Sequence, residues 1–69
     1  MSVAKISEIT STSRTSFEDA VASGIKRASN TLRGISGAWV ADQEVVVESG
    51  KIVEYKVRLK LTFLLDNEK

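Results

Sequence analysis

Residues 51–65 read KIVEYKVRLKLTFLL, and they decide the fold. Val53, Tyr55, Val57, Leu59, Leu61, Phe63 and Leu65 share one parity; Glu54, Lys56, Arg58, Lys60 and Thr62 share the other. A period of two predicts a β-strand with one dry face and one cationic, wetted face. At ~3.3 Å per residue, residues 53–65 reach ~43 Å. No other element of a 69-residue chain is long enough to cover such a strand. The strand therefore predicts a partner surface, and a second copy of the same chain is its expected source.

Working back from the strand, Ser49 and Gly50 read as a two-residue hairpin turn after a second strand at 38–48, AWVADQEVVVE. That turn pairs Glu48 with Lys51, Val46 with Val53, Gln43 with Lys56, Val40 with Leu59 and Trp39 with Lys60. Directly opposed side chains share a face. Val40, Val46, Val53, Val57, Leu59 and Leu61 then form one surface, and Trp39, Gln43, Lys56, Arg58 and Lys60 form the other. This register puts Asp42 and Glu44 on the apolar side, a conflict that a bulge or a contact between subunits would resolve.

A helix is expected at 16–33. Phe17, Ala20, Val21, Gly24, Ile25, Ala28 and Leu32 fall on one helical stripe. Ser16 with Asp19 approximates a capping box, and Ser13 is an alternative cap. Glu18 and Asp19 suit the positive end of the helix dipole. Gly34 fits the position just past the C-terminus. Gly24 on the apolar stripe would let the helix approach a sheet closely. Before the helix, residues 3–10 (VAKISEIT) alternate weakly as a short strand, and 11–16 (STSRTS) form a polar connection. The order is β-α-β-β: an α+β fold with one helix against a three-stranded antiparallel sheet, in a single domain over residues 1–69.

A chain this short buries only ~60% of its unfolded surface, so its core is marginal. With no cysteine and no histidine, it has no disulfide, no thiolate metal site and no imidazole base. Oligomerisation is the staple left to it. The net charge of +1 and a single tryptophan argue against nucleic acid as a partner. No apolar run approaches the ~20 residues of a membrane span, and MSVAKISEIT has no signal-peptide pattern. A cytoplasmic protein is expected by default. An enzyme is not expected: there is no Cys or His nucleophile-base pair and no glycine-rich phosphate loop. Ser11, Ser13 and Ser16 are better explained as turn and cap residues.

The stretch TSRTSFEDAVASGIKRASNTLRGI and the hairpin ending GKIVEYKVRLKLTFLLD, in the order β-α-β-β, closely resemble the dodecin family over residues 3–66. The resemblance implies a small non-enzymatic protein. Its strongly curved three-stranded sheet would wrap partly round the helix, and it would assemble as a hollow homododecamer of cubic symmetry. Many members bind flavins (riboflavin, FMN and relatives) at subunit interfaces, which implies flavin storage or sequestration here.

The flavin contacts are where this chain departs from the family pattern. The family's stacking tryptophan usually opens the second strand in a motif like Asp-Trp-Phe-Glu-Val; here the aligned residues are Ser36, Gly37, Ala38, Trp39 and Val40. Gly37 takes the tryptophan's place, and Trp39 lies two positions on, at ~7 Å along the strand but of the same parity. Lys56 stands where a glutamine usually meets the flavin ring edge; an ammonium donates hydrogen bonds but cannot accept them. The implied flavin set is Trp39 for stacking, Gln43 for the ring edge, and Lys56 and Arg58 for phosphate or carbonyl oxygens, around Gly37. A branch of the family lacks the flavin tryptophan, and one member of it is described as calcium-binding. Asp42-Gln43-Glu44 resembles its acidic-glutamine stretch, which makes Asp42 and Glu44 candidate calcium ligands. The plainer readings are structural. Trp39 would anchor a subunit interface, and the Lys56, Arg58, Lys60 row and the acids would pair with one another or with neighbouring copies.

Overall fold

The computed structural model describes residues 3–64; Leu65, the last residue of the alternating run, lies outside them. Its elements are β1 (Ala4–Ser13), α1 (Phe17–Ser29), β2 (Ile35–Glu48) and β3 (Lys51–Leu64). β3 is the central strand, antiparallel to β1 on one side and to β2 on the other.

The alternation of β3 becomes its two faces. Val57, Leu59, Leu61 and Phe63 are buried and join Ala20 and Ala28 of α1 in the core. Ile9, Phe17, Val21, Ile25, Leu32 and Ile35 pack round that cluster. Phe17 meets Tyr55 edge to face at 5.1 Å between ring centres. Gly24 provides the close approach expected of it. A Cβ there would stand 2.8 Å from the Ser11 Cβ and 3.3 Å from a Leu59 methyl. Beside it, the Ser11 hydroxyl donates to the Ala20 carbonyl at 2.8 Å, tying β1 to α1.

Ser16 is the N-cap, and its hydroxyl accepts from the Asp19 amide at 2.9 Å. Ser13 acts beside it rather than instead of it. Its hydroxyl donates to the Asp19 carboxylate at 2.7 Å and accepts from the Thr15 amide at 2.9 Å. The polar connection is therefore shorter than expected, because β1 runs on to Ser13 along β3. The helix is shorter too, ending at Ser29 rather than at 33. Ser29, Asn30 and Thr31 are poor helix formers, and the chain tightens so that the Asn30 amide bonds the Arg27 carbonyl. Leu32 still reaches the core from this turn. Gly34, at φ +76°, begins the return to the sheet, and its carbonyl accepts from the Leu64 amide. β2 starts at Ile35, three residues before the expected position.

The hairpin turn is as read. Ser49 (φ 51°) and Gly50 (φ 75°) both lie in the left-handed region, the two-residue geometry that matches strand twist. The register has three irregularities between β2 and β3. Ser36 and Ala41 are extra residues on β2, and Val53 is extra on β3. Val40 opposite Leu59, Trp39 opposite Lys60 and Glu48 opposite Lys51 hold as expected. Between the bulges the register moves by one: Asp42 faces Arg58, Gln43 faces Val57, Glu44 faces Lys56, and Val46 faces Glu54. The expected pairs of Gln43 with Lys56 and of Val46 with Val53 are corrected by this shift. The bulge at Ala41 takes Asp42 and Glu44 off the apolar side.

Candidate functional site

The face of the sheet turned away from α1 gathers most of the chain's unexplained chemistry. β3 sends Lys56, Arg58 and Lys60 to it. β1 adds Ile6, Glu8, Thr10 and Thr12, opposite Thr62, Lys60, Arg58 and Lys56 in turn. β2 adds Gly37, Trp39, Asp42 and Glu44. Among the described residues, no helix covers this face.

Arg58 lies at the centre, between one acid from each flanking strand. Its Nε is 3.5 Å from a Glu8 carboxylate oxygen and 3.6 Å from an Asp42 oxygen. All three side chains are about half exposed, so each ion pair is weak on its own. Lys60 places its ammonium 5.1 Å from the centre of the Trp39 ring, within cation–π range. Trp39 is 60% exposed, an unusual condition for the chain's one indole. Gly37 lies two residues away on the same face, and a Cβ built on it would meet nothing within 4 Å. A small recess of about 100 Å³ is lined by Thr10, Asp42, Glu44, Lys56 and Arg58. Among the described residues, no group of three acids comes together within one chain as a ready-made metal site.

A family model described as Dodecin matches residues 3–66. The chain belongs to the dodecin family. It is 36% identical over 63 residues to calcium dodecin of Mycobacterium tuberculosis, spanning 91% of this chain and 89% of that one. A crystal structure of that calcium dodecin, described as having a novel calcium-binding site, superposes with a TM-score of 0.79 at 35% identity. That match covers 97% of this chain and 96% of the other. Dodecin from Streptomyces coelicolor superposes with a TM-score of 0.88 at 30% identity, covering 97% and 96%. A Thermus thermophilus structure gives 0.89 at 28% identity, covering 99% and 100%. The three-stranded sheet and single helix are thus the dodecin fold.

In this dodecin the residues singled out from sequence divide into two sets. Gly37, Trp39, Lys56 and Arg58 share the open face, and Asp42 and Glu44 join them. Gln43 does not: it is exposed, but it points to the α1 side opposite Val57. Sequence reading missed Glu8 and Thr10. The alternation of Ile6, Glu8, Thr10 and Thr12 against Ser7, Ile9, Ser11 and Ser13 carried the signal, but only the strand order puts β1 beside Arg58.

Proposed function

We propose that this dodecin is a non-catalytic, homo-oligomeric cation-binding protein, with calcium its ligand and twelve copies its expected assembly. The observation that carries this reading is the placement of Asp42 and Glu44, exposed on one sheet face and close to Thr10. The 36% identity to a protein named calcium dodecin supports it.

The donors fit calcium in kind, being hard carboxylate and hydroxyl oxygens. They do not fit in number within one chain, because calcium takes about six to eight oxygens and the oxygen-bearing side chains lining the recess are Asp42, Glu44 and Thr10. Carboxylates from neighbouring copies would complete the shell. Oligomerisation has independent support in the exposed apolar surface. Ile6, Trp39, Val40, Val47, Ile52 and Leu64 are all at least 40% exposed, while the fully or nearly buried core among the described residues is six residues. A 14-residue strand reaches ~46 Å, and the 13-residue helix covers only ~20 Å of it.

A second reading is flavin storage, favoured by the 60% exposure of Trp39 beside the open space at Gly37. The Lys60 ammonium lies 5.1 Å from the indole centre, and the 60% exposure of Trp39 leaves area on which an isoalloxazine would stack. Lys56 and Arg58 would then meet phosphate or carbonyl oxygens, while Gln43, on the α1 side opposite Val57, takes no part.

Calorimetric titration of the sized oligomer with calcium chloride, beside fluorescence titration with riboflavin and FMN, decides between them. Saturable calcium binding that Asp42→Asn and Glu44→Gln weaken supports the first reading. Flavin quenching lost in Trp39→Ala, with no calcium heat, replaces it with the second.

A further inference from the structure

The hairpin tip and the helix flank differ in charge and in cover. Phe17 opens α1 where it packs on Tyr55. The hairpin beyond that point, residues 46–53, has no helix over it among the described residues. Val47 and Ile52 pair across it, and both are more than half exposed. Residues 44–54 carry three acids, Glu44, Glu48 and Glu54, against one lysine. The tip is therefore an apolar knob with an acidic collar.

The flank of α1 is its counterpart. A groove of about 650 Å³ runs between α1 and the outer strand β1, and Ile9, Ser11, Gly24, Arg27, Ala28 and Leu32 are part of its lining. It exists because Gly24 and Ala28 carry little or no side chain where the helix passes β1. Residues 26–33 hold three cations, Lys26, Arg27 and Arg33, and no acid. Among the described residues the ion pairs are those of Arg58 with Glu8 and Asp42, so neither Arg27 nor Glu48 is paired there.

We propose that the Val47–Ile52 knob of one copy seats in the α1–β1 groove of the next, with Glu48 meeting Arg27. This rests on the homo-oligomer reading above and names a contact that builds it. The apolar side chains of the tip leave water for the apolar part of the groove. The acidic collar meets a cationic rim, and such complementarity fixes orientation and rejects wrong ones. Knob and groove are different surfaces, so the contact is head to tail, and it is satisfied in every copy only when a ring closes.

Sedimentation velocity and light scattering on the native chain and its variants test this, with circular dichroism to verify folding. Ile52→Asp puts a charge into the apolar contact, and Arg27→Glu sets acid against acid. Each is expected to raise the concentration needed for assembly at least about tenfold. Each variant keeps the half of the contact that the other lacks, so an equimolar mixture of the two is expected to associate where neither does alone. Glu48→Arg combined with Arg27→Glu is expected to recover the assembly that either change alone weakens. Native mass in both single variants, or a mixture no more associated than its components, overturns the proposal and leaves the homo-oligomer reading standing. If Ile52→Asp does not fold, the charge exchange decides: no recovery in the double variant overturns the proposal. If the native chain is a monomer throughout, the homo-oligomer reading falls and takes the proposal with it.

Discussion

β2 and β3 are antiparallel neighbours of equal length, 14 residues each, and they are built on opposite terms. From Glu54 to Leu64, β3 keeps strict alternation, and its inward residues Val57, Leu59 and Leu61 are wholly buried. β2 has two bulges of its own, at Ser36 and Ala41, and no fully buried residue. β3 carries the chain's stability, and β2 carries most of the candidate ligand contacts. Bulges are tolerated where little core depends on register, and they re-aim side chains there. The strand that commits no side chain fully to its own core is the one free to meet other molecules.

The largest expected effect tests the stability half of that contrast. Leu59→Ala should cost about 2–5 kcal/mol, read as a fall in the urea midpoint, because it empties a fully buried site. Val47→Ala on β2, at 54% exposure, should stay within about 0.5 kcal/mol in the dissociated chain. Equal costs would erase the distinction between the strands. Next in size is Gly24→Ala, expected to destabilise by about 1–3 kcal/mol through overpacking against Ser11, despite alanine's better helix propensity. Chemical denaturation measures it, and a gain in stability would mean the sheet and helix are not as close as 2.8 Å implies.

Deleting Ala41 tests the functional half. Without the extra residue, Val40 and Asp42 become neighbours, so the pairs of Val40 with Leu59 and of Asp42 with Arg58 persist in a regular ladder and both acids stay on the open face. Calcium affinity should therefore stay within about threefold of the native value, or ~0.7 kcal/mol, while circular dichroism keeps its strand signal. A loss of about tenfold, or ~1.4 kcal/mol, would show that the local kink at Ala41, and not the register alone, aims these acids. The smallest effect is at the turn joining the strands. Ser49→Asn should add a few tenths of a kcal/mol, because asparagine tolerates the left-handed φ of 51° better than serine. A matched pair of thermal melts would detect it.

The same contrast explains what could be read from the sequence. The faces of β3, the Ser16 cap, the role of Gly24 and the turn at Ser49 and Gly50 each depend on local pattern, and each was legible. The bulge at Ala41 was legible only as a conflict, because nothing in an alanine marks it as the residue that skips its partner. The visible sign was that two acids landed on an apolar surface. Gln43 was misplaced by that same single residue. The helix end was overrun because Leu32 continues the apolar stripe although its backbone has left the helix. The Glu8 contact to Arg58 needed the strand order, which alternation alone does not specify. Whether Trp39 stacks on a ligand or on a neighbouring copy depends on surfaces that lie outside a single chain's pattern.

The central position of β3 has a consequence in time. Every ladder in the sheet includes β3, yet β3 follows both of its partners along the chain. Ala4 pairs with Leu64, and no β1–β2 pairing exists to hold the earlier strands together. At about 5–20 residues per second of synthesis, β1 waits roughly 2–8 s between its own completion and the first residue of β3. During that interval α1 has no sheet to rest on, and Ile6, Ile9 and the valines of β2 have no shelter. Sheet formation is therefore a late, single event with high contact order, slow relative to helix formation. The nascent chain depends on staying dispersed until the strand that organises it has been made.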